Sequence, residues 1–138
     1  MSTLNRLNLA EDLAANPIPP HTGLHPGPSR RVLLLIGGHT GRVGSALLKL
    51  LATERRRLLT EHRVEFHVAG TVNRREAVWQ DPDSPWREDS IPRHGDDWPE
   101  LIVRFRGYTG PKLFVDCSAS AEIAGHYAEF FRNGIGII

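Results

Sequence analysis

With 138 residues the chain has room for a single domain, and its formal net charge of +1, with acids and bases mixed along its length, leaves no basic footprint for nucleic acid. One cysteine, Cys117, excludes an internal disulfide and fits a reducing compartment. No run approaches a membrane span and the N-terminus lacks a signal peptide's apolar core, so a cytoplasmic location is the expectation.

The first segment, residues 1–30, carries Pro17, Pro19, Pro20, Pro26 and Pro28 among polar and glycine residues. Such a composition buries little, and it predicts a disordered tail or linker, with a short helical turn around Leu7 to Ala15 at most. Residues 31–138 then read as one domain. Val32 to Ile36 is a buried strand that ends in Gly37-Gly38-His39-Thr40-Gly41-Arg42-Val43-Gly44 and passes at once into a helix from Arg42 to about Leu59. Val43, Leu47, Leu50, Leu51 and Leu58 form the expected apolar stripe of that helix.

Strand, glycine turn and helix in this order place backbone amides and a positive helix end where a pyrophosphate sits. The spacing is G-x-x-G-x-x-G, one residue longer in the turn than the dinucleotide fingerprint G-x-G-x-x-G. Gly38 is then the turn former, Gly41 permits close approach to phosphate, and Gly44 permits close packing of helix on strand. The amides of Arg42, Val43 and Gly44 are the expected pyrophosphate donors. His39 either intrudes on the phosphate path or faces solvent.

Arg63 to Val72 is the second strand, with Val64, Phe66 and Val68 alternating. At its end an acidic side chain would read a ribose 2′-hydroxyl, but the sequence has Asn73-Arg74-Arg75, and an arginine fork favours a 2′-phosphate and so NADP over NAD; Glu76 counts against it. Residues 73–96, charged and interrupted by prolines, predict a long surface excursion, with Trp79, Trp86 and Trp98 as packing or cover for it. Asp97 with Glu100 predicts a capping box for a helix from Trp98 to about Arg106. Gly110-Pro111 leads into a strand, Lys112 to Asp116, and Ser118 or Ser120 caps a helix from Ala121 to Arg132. Asn133-Gly134 ends that helix with a left-handed cap, and Ile135 opens a last strand.

This alternation predicts an α/β fold of the Rossmann-like, doubly wound kind, with a mainly parallel sheet that is incomplete at the C-terminus. Ser118, at the end of its strand, falls at the crevice where such sheets bind ligands. Cys117 beside it is read as a structural cysteine rather than a nucleophile, since no histidine is placed to activate it, and Asp116 as a strand-end hydrogen bonder. The seven histidines show no metal-ligand spacing. No catalytic residue is assigned.

Three segments together resemble the NAD(P)-binding domain of homoserine dehydrogenases, most closely those fused to aspartokinase. They are Leu33 to Gly37 with Gly41 to Leu48, then Phe66-His67-Val68-Ala69-Gly70-Thr71-Val72-Asn73-Arg74-Arg75, and Phe114-Val115-Asp116-Cys117-Ser118-Ala119-Ser120 with Tyr127, Phe131 and Gly134. The resemblance implies hydride transfer between L-homoserine and L-aspartate 4-semialdehyde in aspartate-derived amino-acid biosynthesis, a homodimer in the full-length enzyme, and cofactor contacts from Gly38, Gly41, Arg42, Val43, Gly44, Asn73, Arg74, Arg75, Cys117 and Ser118. The family's Asn-Lys segment and substrate domain would follow Ile138, so the expectation is a cofactor-binding piece that is inactive alone and meets homoserine or the semialdehyde only with the missing domain. Two other readings are a stand-alone nucleotide-binding or interaction module and another reductase such as one resembling dihydrodipicolinate reductase.

Overall fold

A computed structural model describes residues 29–82 and 84–138. The expected tail and the turn near Leu7 lie outside the described residues. The elements are β1 (Arg30–Gly37), α1 (Arg42–His62), β2 (Val64–Val72), β3 (Glu76–Asp81), β4 (Ser84–Pro92), α2 (Trp98–Arg106), β5 (Lys112–Asp116), α3 (Ala121–Ala124), α4 (Tyr127–Arg132) and β6 (Gly136–Ile137). They build one six-stranded sheet in the order β4-β3-β2-β1-β5-β6. The central run β2-β1-β5-β6 is parallel, and β3 and β4 add to its β2 side as an antiparallel hairpin.

Alternate residues of β1 serve the two faces. Leu33 and Leu35 join Trp98, Leu101, Ile102 and Phe105 of α2 with Ile123 and Phe130. Leu34 and Ile36 meet Leu48 of α1 and Val68 on the other side. Helices thus cover both faces, which is the doubly wound arrangement. Phe114 stacks on Phe130 at 4.3 Å between centroids, and Trp98 meets both edge-on. Among the described residues no helix is long and apolar enough to cross a membrane.

Five details differ from expectation. Residues 73–96 are mostly sheet, because Ala77 and Trp79 face inward while the charges of β4 face out; Trp79 is 1% exposed. Gly70 makes room for it, since a Cβ there would lie 2.8 Å from the indole. The buried seam of α1 runs through Gly44, Leu48, Ala52 and Leu59, leaving Val43 and Leu50 exposed. Gly44 sets this rotation: a Cβ on it would stand 2.3 Å from the Gly38 carbonyl oxygen, so this side of the helix must lie against the loop.

The helix expected from Ala121 to Arg132 is two short pieces, broken at Gly125 and His126. Glycine weakens the helix there, and the His126 ring is held by Asp96 at 3.1 Å and Glu129 at 3.5 Å. Neither serine makes a side-chain cap bond to α3; Ser118 Oγ instead donates to Asp116 and accepts from the Ser120 amide. The capping box of α2 is also absent, as Asp97 makes no side-chain cap bond and its carboxylate accepts from Arg93 and the His94 amide.

Candidate functional site at the carboxyl ends of the parallel strands

Beyond β1 the chain turns to one side through α1 toward β2, and beyond β5 it turns to the other through α3 and α4 toward β6. The two loops diverge and leave a crevice, as open α/β sheets do where strand order reverses. A cleft of ≈ 840 Å³ occupies it.

Its floor is the glycine loop. Gly38 takes φ +76°, and a Cβ there would lie 2.8 Å from the Ser118 nitrogen, so only glycine lets the β1 and β5 loops approach this closely. Gly41 caps α1 with extended backbone, and a Cβ on it would meet nothing nearer than the Gly38 oxygen at 3.4 Å. It lines the cleft, so any side chain there would fill ligand space. Helix geometry leaves the amides of Arg42, Val43 and Gly44 without intrahelical acceptors, and α1 has no acidic residue in its first turn and no side-chain cap. A helix N-terminus of this kind has the donor chemistry that suits an anion; of the loop, Gly38, Thr40 and Gly41 line the cleft, and Arg42, Val43 and Gly44 lie just beyond its lining. The Arg42 and Val43 side chains point to solvent, while Gly44 is buried beneath the loop.

His39 neither lines the cleft nor faces solvent. It is 0% exposed and does not line the cleft, and Ser45 Oγ donates to its carbonyl at 3.3 Å.

A second wall is the turn between β2 and β3. Asn73 Oδ1 accepts from the amides of Arg75 and Glu76, both at 2.8 Å, and the Asn73 amide donates to the Glu76 carbonyl at 3.0 Å. Asn73 is thereby a turn former whose oxygen is occupied, and exposed Arg74 and Arg75 line the cleft beside it. Glu76 is drawn away across the hairpin, where Ser90 Oγ donates to it at 2.7 Å.

Arg93, which sequence reasoning passed over as a site residue, completes this wall with buried Asp97 behind it. Arg93 Nε lies 2.7 and 2.9 Å from the two Asp97 oxygens, its Nη2 2.7 Å from one of them, and its Nη1 donates to the Asn73 carbonyl at 2.8 Å. The guanidinium rests 4.9 Å from the Trp98 ring centroid. Burial pushes the Asp97 carboxyl up, but the Arg93 fork and the His94 amide outweigh it and hold the group below its ordinary value.

The third wall is the β5 loop. Asp116 accepts from the Ser118 amide at 2.9 Å, from Ser118 Oγ at 2.6 Å and from the Tyr127 hydroxyl. This bond raises the Tyr127 pKa, with burial adding to it. Ser118 spends its proton on Asp116 and one lone pair on the Ser120 amide, so its oxygen has one lone pair left to accept with. Cys117 also lines the cleft; burial, then Asp116, pushes its thiol up, which is the reverse of an activated nucleophile.

A glycine loop under a helix N-terminus at the switch point of a doubly wound sheet defines a Rossmann-like nucleotide-binding domain. The sequence profile of the homoserine dehydrogenase NAD-binding domain matches residues 40–138, and the chain belongs to that family. A search of curated proteins gives no significant match. A crystal structure of a Candida auris protein of unknown function is similar with a TM-score of 0.57 and 24% identity; the match covers 80% of this chain and 30% of that one. This second likeness shows the fold.

Proposed function

We propose that the cleft binds NADP(H) as the cofactor site of a homoserine dehydrogenase, with residues 31–138 as the nucleotide-binding unit. The amides of Arg42, Val43 and Gly44 receive the pyrophosphate, Gly38 and Gly41 keep the floor clear for it, and Arg74 and Arg75 take the 2′-phosphate. Asn73 shapes the turn that carries them. Ser118, with Cys117 beside it, faces the ribose and nicotinamide end, where an acceptor oxygen suits a ribose hydroxyl or a carboxamide N–H.

The observation that carries this reading is the Gly38 to Gly44 loop, closed on Ser118 by a left-handed glycine and opening onto uncapped helix amides. When bound, the nicotinamide supplies a hydride acceptor or donor for interconverting L-homoserine and L-aspartate 4-semialdehyde. The residues described here bind and orient; none is a general acid or base at the substrate oxygen. Titration with NADPH and NADH, followed by melting temperature, tests the reading, because a ligand of the native state raises stability.

A further inference from the structure

Arg74 and Arg75 are exposed, and among the described residues neither guanidinium has a carboxylate partner. Their position therefore depends on the backbone that carries them. The two carbonyls flanking Arg74 are both held by one residue: Arg93 Nη1 takes the Asn73 oxygen at 2.8 Å and the Arg93 amide takes the Arg75 oxygen at 2.9 Å. Arg93 is in turn anchored to the core. Its fork grips Asp97, which is 3% exposed at the head of α2, and its plane lies on Trp98, which is 2% exposed. The Arg93 side chain is itself only 13% exposed. A continuous line of contacts thus runs from α2 through Asp97 and Arg93 to the arginine turn, crossing from the end of the β3–β4 hairpin to its beginning.

We infer that Arg93 is a positioning residue for 2′-phosphate selectivity, fixing the Arg74-Arg75 turn through its grip on Asp97 instead of offering its charge to the ligand. This rests on the nucleotide reading above and adds to it a source of discrimination outside the arginines themselves. A planar fork is required, because a lysine at this place keeps the charge but cannot span Asp97 and the Asn73 carbonyl together.

The test is calorimetric binding of 2′,5′-ADP and of 5′-ADP to the full chain, in wild type, Arg93→Lys and Asp97→Asn. Wild type prefers 2′,5′-ADP. Both variants lose about tenfold of that preference, the worth of one charge-assisted hydrogen bond, and the loss in 2′,5′-ADP affinity exceeds any loss in 5′-ADP affinity. Asp97→Asn decides the mechanism, since it removes a negative charge: simple electrostatics then strengthens 2′-phosphate binding, whereas a loosened turn weakens it.

Retained preference in Arg93→Lys overturns the inference while leaving the NADP reading intact. So does a preference that rises in Asp97→Asn and falls in Arg93→Lys, which would make Arg93 a direct ligand. Equal loss for both nucleotides marks a merely structural role and also overturns it. A folded wild type that binds neither nucleotide defeats the nucleotide reading and this inference together.

Discussion

Gly38 and Ser118 lie so close that a methyl group on the first would stand 2.8 Å from the backbone nitrogen of the second. This contact joins the loops of β1 and β5, which leave the sheet in opposite directions, and both residues line the cleft. Gly38 also needs φ +76°, so two independent demands meet at one residue.

Gly38→Ala is predicted to lower stability by about 2–4 kcal/mol, combining left-handed strain with backbone overlap. Gly134 supplies the comparison: it has φ +75° but a Cβ there meets nothing within 4 Å. Gly134→Ala should cost about 1 kcal/mol, the conformational part alone. Denaturant unfolding of both variants checks the difference, and equal losses would show that the Ser118 contact has no weight.

Gly41→Ala separates binding from folding. The added methyl meets only the Gly38 oxygen, at 3.4 Å, and φ −75° suits any residue. Stability should change by less than about 1 kcal/mol. NADPH affinity should fall at least about tenfold, as the methyl stands where the loop must approach phosphate. An unchanged affinity measured by calorimetry would remove Gly41 from the site.

Acid should act in two steps. Burial, then the Arg31 charge, lowers the His67 pKa from its ordinary 6.5, so the folded state disfavours the proton that the unfolded chain accepts. Stability present above that value is lost as pH falls through the folded pKa. Asp97, held below its ordinary 3.8 by Arg93 and His94 against the effect of burial, adds a second loss at lower pH by the same sign. Melting temperature against pH should fall in both windows, and His67→Gln should remove the upper one. A curve flat between pH 7 and the carboxylate range would contradict the burial of His67.

Cys117 should alkylate slowly. Burial and the neighbouring Asp116 raise its pKa above the ordinary 9.0, so little thiolate exists near neutrality. Iodoacetamide labelling of the folded chain should be slower at pH 8 than labelling in denaturant, and should accelerate only in more alkaline buffer. Rapid labelling at pH 7 would point to an activated thiol.

Most of the parallel sheet was legible because its strands are either a continuous apolar run, as in Val32 to Ile36, or open after glycine and proline punctuation, as at Lys112. Gly38 and Gly44 of the loop likewise announce their turn and packing roles through spacing. The hairpin was not legible, because β4 is an exposed edge whose charges read as loop, and Trp79 declares itself only once Gly70 is seen to make room for it. The Arg93–Asp97 fork was hidden for a related reason. An Asp before Trp-Pro-Glu satisfies a helix-cap pattern, and only the folded chain shows that its carboxylate turns to an arginine that also reaches Asn73, which is remote in sequence.

Calorimetric titration of the folded chain with NADPH and NADH tests the central claim most directly. The account predicts saturable binding of both, tighter for NADPH, with a rise in melting temperature for each. A folded sample that gives neither heat nor a melting shift with either coenzyme would contradict it.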